Sequence, residues 1–377
     1  MSAHRKFIRE ITRWYESHKR ALPWRGETDP YRIWLSEIML QQTRVEQGTP
    51  YYLRFIDAFP TVDLLARASE EAVLRLWQGL GYYSRARNLH RCAKIVTDQK
   101  SGAFPRTAAE LRALPGIGPY TAAAISSICF GEYSAVVDGN VFRVLARVFG
   151  IRTDTLSPAG KKEFQMVADT LMDSCRGSAD IPPGEYNQAL MEFGAVRCTP
   201  KNPACDGCPL SSLCVARAQG LQAQLPVRKK TKAKKKRFLH YVMITDGVSV
   251  AMRKREEGDI WQGLYDFPCF ENRRPVASAS LREWLIGCIP LPEEAVPASE
   301  FEIRHLLSHQ ELHARFFKVT VRRMPAQKRL KRWNWQAYPF GQCADLPKPV
   351  IIAKALERLL ADTRIIHSAP RPRRRKR

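Results

Sequence analysis

The chain lacks any apolar run near the roughly twenty residues that a membrane-crossing helix needs, so no membrane span is expected. Its first residues, MSAHRKFIREITRWYESHKRALPW, lack the apolar block of a secretory signal. Glu10 and Glu16 argue against an amphipathic transit peptide, which avoids acids. Phe7, Ile8, Ile11, Trp14 and Tyr15 fall instead at helical spacing, which predicts a first packed helix. No internal repeat is evident. Acidic residues are scarce: 37 Asp and Glu face 61 Lys and Arg, leaving a net charge of +24. A field of one sign this large suits a polyanion, either nucleic acid or an anionic membrane surface. At 377 residues and 45% hydrophobic content the chain is long enough for two domains with separate cores.

Four of the ten cysteines, Cys198, Cys205, Cys208 and Cys214, lie in the pattern C-x6-C-x2-C-x5-C. Four thiolates in so short a loop can close a metal site, holding either zinc or an iron–sulfur cluster. The loop lacks the paired C-x2-C knuckles of a zinc ribbon. Cys92, Cys129, Cys175, Cys269, Cys288 and Cys343 have no regular spacing and read as small apolar residues of a reducing compartment.

Residues 1–225 carry helical periodicity at 62–78, 86–97, 121–130, 141–149, 161–173 and 186–196. The run RKKTKAKKKR, 228–237, has eight Lys or Arg in ten residues and reads as a linker, solvated or against phosphate. Beyond it FLHYVMI, SVAMRK, WQGLYDFP and ARFFKVTV predict strands, and SASLREWLIGC and 349–361 predict helices. The expected division is a helical domain at 1–225, a basic linker at 226–237, a mixed domain at 238–363 and a disordered basic tail at 364–377.

LPGIGPYTAAAI, 114–125, is a tight turn opening a helix of small residues. Gly116 and Gly118 allow close approach and unusual dihedrals, and N–H groups at a helix start bind phosphate. With the preceding AAELRALP this predicts a helix–hairpin–helix. Downstream, Asp138 precedes a Gly-Asn turn into an amphipathic helix, AVVDGNVFRVLARVFG.

A helix–hairpin–helix, a following aspartate and a four-cysteine loop resemble the endonuclease III superfamily of DNA glycosylases. LPWRGETDPYRIWLSEIMLQQTRVE, WQGLGYYSRARNLH and YNQALMEFGAVRCTPKNPACDGCPL are similar to segments of its MutY branch, the adenine glycosylases. WQGLYDFP and RHLLSHQELH resemble that branch's Nudix-like C-terminal half. The resemblance implies a multi-domain protein: an all-α glycosylase domain with six-helix barrel and cluster subdomains, then an α+β Nudix-like domain that recognises 8-oxoguanine.

The resemblance also implies roles. Glu37, flanked by apolar residues that can raise its pKa, would be the general acid that protonates the departing adenine. Asp138 would stay ionised and face the sugar cation, and Asn140 and Tyr120 would orient these groups. On their own, Glu37 could be a surface helix residue and Asp138 a helix cap. Tyr120 stands where glycosylases with lyase activity carry a Schiff-base lysine, which implies a monofunctional enzyme. Arg25 and Trp34 would line the base pocket, with Gln188 where some relatives have Glu. Gln42 and Tyr82 would enter the duplex beside the flipped base, although Tyr82 alone could be a core aromatic. Ser308 and His309 match a Phe-Ser-His loop that contacts 8-oxoguanine, with Leu307 replacing the Phe. Residues 258–300 lack the glutamate array of a Nudix hydrolase, so recognition is expected there rather than hydrolysis.

The implied cofactor is a [4Fe–4S] cluster, with zinc the alternative from the residues alone. The implied partner is double-stranded DNA carrying A:8-oxoguanine or A:G, bound by a monomer in the bacterial cytoplasm at the nucleoid, with no membrane involved. Rival readings are an endonuclease III-like glycosylase/lyase, a non-catalytic metal-bearing DNA-binding protein and a nucleotide hydrolase.

Overall fold

The computed structural model describes residues 3–176, 181–229, 233–289 and 297–368. The chain divides into two compact units, residues 1–67 with 88–231, and residues 68–87 with 232–377. The helices in chain order are α1 Ala3–His18, α2 Pro30–Leu40, α3 Val45–Ala58, α4 Val62–Arg67, α5 Glu70–Leu76, α6 Ser84–Lys100, α7 Ala108–Leu111, α8 Pro119–Phe130, α9 Gly139–Phe149, α10 Pro158–Cys175, α11 Pro183–Glu192, α12 Val215–Ala218, α13 Ser278–Cys288, α14 Gln327–Lys331, α15 Phe340–Cys343 and α16 Val350–Ser368. The strands are β1 Lys235–Thr245, β2 Ser249–Lys254, β3 Tyr265–Asp266, β4 Cys269–Asn272, β5 Ala298–Leu306, β6 Gln310–Thr320 and β7 Gln336–Pro339.

In the first unit α1 buries Phe7, Ile8, Ile11, Trp14 and Tyr15, the predicted apolar stripe. They join the inward faces of α8, α9, α10 and α11 in one core. The periodic stretch 62–78 forms two helices rather than one. Ser69 interrupts it because its side chain caps α5, accepting from Ala72 N–H at 3.2 Å. The predicted hairpin joins α7 to α8. Gly116 there has φ +78°, and a Cβ would come within 2.8 Å of Asn88 Cβ, so glycine is required twice over. Gly118 has ordinary extended backbone, φ −86°, and its Cβ direction is open. The unusual dihedral and the close neighbour expected at Gly118 are therefore both absent. The helix predicted over 186–196 is α only to Glu192 and continues as a π-turn, Phe193–Arg197, into Cys198.

The second unit is built on a seven-stranded mixed sheet with the path β3-β2-β1-β6-β5, β4 pairing β1 and β7 pairing β2. β1 and β6 run parallel over their whole length, from Lys235 opposite Gln310 to Thr245 opposite Thr320. WQGLYDFP yields only the two-residue β3. Trp261 and Gly263 take positive φ, 63° and 79°, which ends strand geometry. β4, β5 and β7 carry no signal noticed in the sequence. The end of the basic run is not linker: Lys235–Arg237 starts β1, and Arg237 is 8% exposed between acids. α16 continues to Ser368, past the boundary expected at 363. Residues 369–377 of the expected disordered tail, and 230–232 of the expected linker, lie outside the described residues.

Residues 68–87 belong to the second unit through polar contacts. Glu71 pairs with Lys254 at 2.7 Å and accepts from Tyr265 Oη at 2.8 Å. Gln78 Oε1 accepts from Lys348 N–H at 3.1 Å, and Arg87 Nη1 donates to Gln262 O at 2.8 Å. The helical half is thus not one continuous block. Among the described residues no helix is long and apolar enough to cross a membrane.

Candidate active site

The first unit contains an open cavity of about 840 Å³ lined by residues of α2, α8, α9 and α11. On α2, Ile33, Glu37 and Leu40 face it, at the four- and three-residue spacings of one helix side. Burial pushes the Glu37 carboxyl up to about 7; a hydrogen bond with Tyr120 pulls the other way, and Asp138 adds to the rise. Tyr120, in the first turn of α8, also donates to Met191 Sδ at 3.2 Å. Burial and the two nearby carboxylates hold its phenol well above its ordinary value.

Asp138 is both cavity wall and helix cap. Its Oδ1 accepts from Asn140 N–H at 2.9 Å and Val141 N–H at 2.7 Å, opening α9. Its Oδ2 accepts from Asn140 Nδ2 at 2.8 Å. Burial raises its pKa, and these three bonds oppose the rise by favouring the anion. Asn140 is oriented in turn by Arg143, whose Nη2 donates to its Oδ1 at 2.8 Å and to Gly194 O at 2.6 Å. Arg143 Nε reaches Cys198 O at 2.7 Å. The π-turn before Cys198 supplies the Gly194 carbonyl, so it ties the cysteine loop to the Asp138 cap.

The opposite wall centres on an acid that sequence reasoning missed. Glu192 is 2% exposed and takes Arg20 Nε at 2.6 Å and Arg25 Nη2 at 2.6 Å. Burial raises its pKa and these guanidiniums more than offset it, leaving a net depression. Arg25 Nη1 also donates to Gln188 Oε1 at 2.6 Å and stacks 5.3 Å from the Tyr15 ring centre. The available signal was the four-residue step from Gln188 to Glu192 on α11, which places both on one face. Trp34 does not line the cavity as expected. It is fully buried against Phe104, ring centres 5.3 Å apart, because it lies around the helix from the Ile33–Glu37–Leu40 side. Trp24 lines the cavity instead, as does Arg228, the first residue of the basic run.

Cys198, Cys205, Cys208 and Cys214 wall one small pocket beside Arg147, Arg197 and Arg217. Arg147 Nη1 donates to Cys198 Sγ at 3.4 Å and to Thr199 O at 2.7 Å, and its Nε donates to Leu225 O at 3.0 Å. A buried cation clasping the loop suits a site of several thiolates, whose negative charge needs nearby compensation. The donor set and the shared pocket suit these four thiolates as the residues that would hold an iron–sulfur cluster.

Gln42 stands at the cavity edge with φ +56°. Tyr82 and Ser308 belong to the second unit. Tyr82 is 44% exposed with φ +49°, and its hydroxyl meets Ser308 Oγ at 2.5 Å. Left-handed backbone at non-glycine residues is strained and marks places where geometry is imposed. Ser308 and His309 are exposed in the turn between β5 and β6.

The family model described as the HhH-GPD superfamily of base excision DNA repair proteins matches residues 35–167. A NUDIX domain model matches 240–358, and the iron-sulfur binding domain of endonuclease III matches 198–214. An adenine DNA glycosylase of Buchnera aphidicola subsp. Baizongia pistaciae is 33% identical over 347 residues, covering 91% of this chain and 94% of that one. The adenine DNA glycosylase of Homo sapiens is 45% identical over 228 residues, 58% of this chain and 41% of its own length. Among solved structures, a thermostable thymine-DNA glycosylase is 29% identical with a TM-score of 0.51, covering 57% of this chain and 97% of that one.

Proposed function

The chain belongs to the adenine DNA glycosylase family of base-excision repair, and we propose that the adenine it releases stands opposite 8-oxoguanine or guanine in duplex DNA. The observation that carries the chemistry is a pair of carboxyl groups on one cavity with different partners. Glu37 has its pKa near 7 through burial, while Asp138 receives three hydrogen bonds that favour its anion.

In this reading adenine leaves the stack and enters the cavity, at a cost of a few kcal/mol of unstacking. Glu37, with its pKa near 7, is protonated in a large share of molecules at neutral pH and delivers that proton to adenine N7, so that a neutral base departs. Asp138, held by Asn140, faces the positive charge that develops on the sugar, as the second carboxylate does in glycoside hydrolysis. Tyr120 orients Glu37. Arg25, fixed by Glu192, presents the Gln188 amide to the base. Water then completes the hydrolysis at the sugar carbon. Tyr120 cannot form an imine, so the product is an abasic site in an unbroken strand. Gln42 and Tyr82 enter the duplex, and the Ser308–His309 turn reads the opposite base.

The chain carries a [4Fe–4S] cluster in the loop 198–214, and we assign Cys198, Cys205, Cys208 and Cys214 as its ligands. The cluster supplies a covalent brace that holds a basic loop in place. Gly116 and Gly118 offer the hairpin backbone to phosphate. The protein acts as a monomer in the cytoplasm.

The test is a labelled A:8-oxoguanine duplex incubated with the protein and then treated with hot alkali. The expected result is a break at the adenine position only after alkali, with no borohydride-trapped complex. No alkali-labile site would overturn the glycosylase reading. Nicking without alkali, with efficient trapping, would favour the glycosylase/lyase.

A further inference from the structure

Leu307–Gln310 joins β5 to β6 as a tight turn, closed by Leu307 N–H donating to Gln310 O at 2.9 Å. Ser308 and His309 are exposed, so no core fixes them, although Ser308 Oγ meets the Tyr82 hydroxyl at 2.5 Å. The turn is held from behind by the start of β1. Lys235 N–H donates to His309 O at 3.1 Å, and Lys234 Nζ donates to Leu307 O at 2.7 Å. Gln310 Oε1 accepts from Arg237 Nη1 at 3.1 Å.

Arg237 is a fixed point. Its Nη1 and Nη2 donate to the two Asp259 oxygens, both at 2.7 Å, and its Nε and Nη2 donate to Glu271 at 2.7 and 2.6 Å. Asp259 is tied further to Arg255 Nη2 at 2.5 Å, and Arg255 reaches the fully buried Asp266 at 2.7 Å. Burial works against the Asp259 anion, yet Arg237 and the Ile260 N–H bring its pKa down to about 2. Bidentate guanidinium pairs fix direction as well as distance.

We propose that Arg237 is a positioning residue for reading the base opposite adenine: through Gln310 it sets the turn that presents Ser308 and His309. The inference rests on the reading of that turn as the contact to 8-oxoguanine. 8-Oxoguanine differs from guanine by a carbonyl at C8 and an N–H at N7. Telling them apart requires a donor and an acceptor in fixed places, and an exposed turn keeps that geometry only if its backbone is braced. Arg237 therefore acts on the choice of duplex and leaves the hydrolytic step alone.

The experiment uses the full chain and compares single-turnover rates and affinities on A:8-oxoguanine and A:G duplexes. Gln310→Leu removes the acceptor and leaves the charged hub intact. It should lower the preference for 8-oxoguanine by about tenfold, the equivalent of one missing hydrogen bond, with the A:G rate unchanged. Gln310→Glu keeps an acceptor for Arg237 and should restore the preference. Arg237→Met strands two acids, so it is made together with Asp259→Asn and Glu271→Gln; adding Gln310→Leu to it should cause no further loss. Equal losses on both duplexes would overturn the proposal in favour of a purely structural role. So would an unchanged ratio in Gln310→Leu when Ser308→Ala with His309→Ala lowers it, and the reading of the turn would then stand. If Ser308→Ala with His309→Ala leaves the ratio unchanged, the reading of the turn fails and takes this inference with it.

Discussion

Burial that raises the Glu37 pKa to about 7 would serve the proposed acid role and costs stability. Its folded pKa lies above the ordinary 4.5, so the native state binds the extra proton between those values. Stability therefore falls as pH rises from 4.5 through 7, because the unfolded chain ionises freely and the folded one does not. Glu37→Gln should abolish adenine release, a loss of at least about 10²–10⁴-fold for a general acid, while duplex binding persists. The same variant should melt higher than the wild type at pH 8, by an amount on the order of 2–3 kcal/mol reduced by the part of the side chain that faces the cavity. The gap should close below pH 4.5, and wild-type single-turnover rates should decline as pH rises through about 7. Near wild-type rates in Glu37→Gln, or a rate that climbs through pH 7, would remove Glu37 from the acid role. The identity of Glu37 and Asp138 as candidates was legible in their segments. The family resemblance also assigned them different protonation states; the fold added the donors that favour the Asp138 anion.

At the scale of elements, the cysteine loop and α9 form one assembly. Arg147 clasps the loop, and Arg143 joins the Cys198 carbonyl to Asn140. The purified protein should be yellow-brown and contain four irons per chain, as its [4Fe–4S] cluster requires. Cys198→Ser should lower the iron content and weaken DNA binding. A colourless protein with one zinc per chain would overturn the cluster. Periodicity predicted α1 well, since it has one face buried, and SVAMRK and SASLREWLIGC coincide with β2 and α13. It failed at 62–78, where one serine side chain cuts the helix, and at WQGLYDFP, where Trp261 and Gly263 adopt positive φ. The family resemblance placed Trp34 in the cavity, and because α2 is apolar on most sides, periodicity could not correct that placement.

For the whole molecule, a chain ending near residue 226 keeps Glu37, Asp138, the hairpin and the four cysteines. It loses the Lys254, Tyr265 and Lys348 partners of residues 68–87. We expect it to release adenine from A:G duplexes, to prefer 8-oxoguanine much less, and to melt lower than the full chain. If Ser308 and His309 read the base as proposed, a good pair of contacts there would be worth about 1–3 kcal/mol of discrimination. Parallel rate and affinity measurements on the two duplexes, with a thermal melt, check all three. An unchanged A:8-oxoguanine to A:G ratio would show that the C-terminal part does not read the lesion.

The candidate carboxylates came from the family resemblance, and the order of residues alone determined the cysteine spacing, the Gly116 hairpin and the excess of positive charge. These are properties of neighbours in the chain, where covalent spacing and local backbone preference decide the outcome. Only the tertiary structure decided that Glu37 titrates near 7 and that Glu192 fixes Arg25. It alone showed that Trp24 rather than Trp34 faces the cavity, and that Arg237 leaves the basic run to pair with Asp259 and Glu271. Desolvation and hydrogen-bond geometry set each of these, and both come from groups that meet only when the chain has folded.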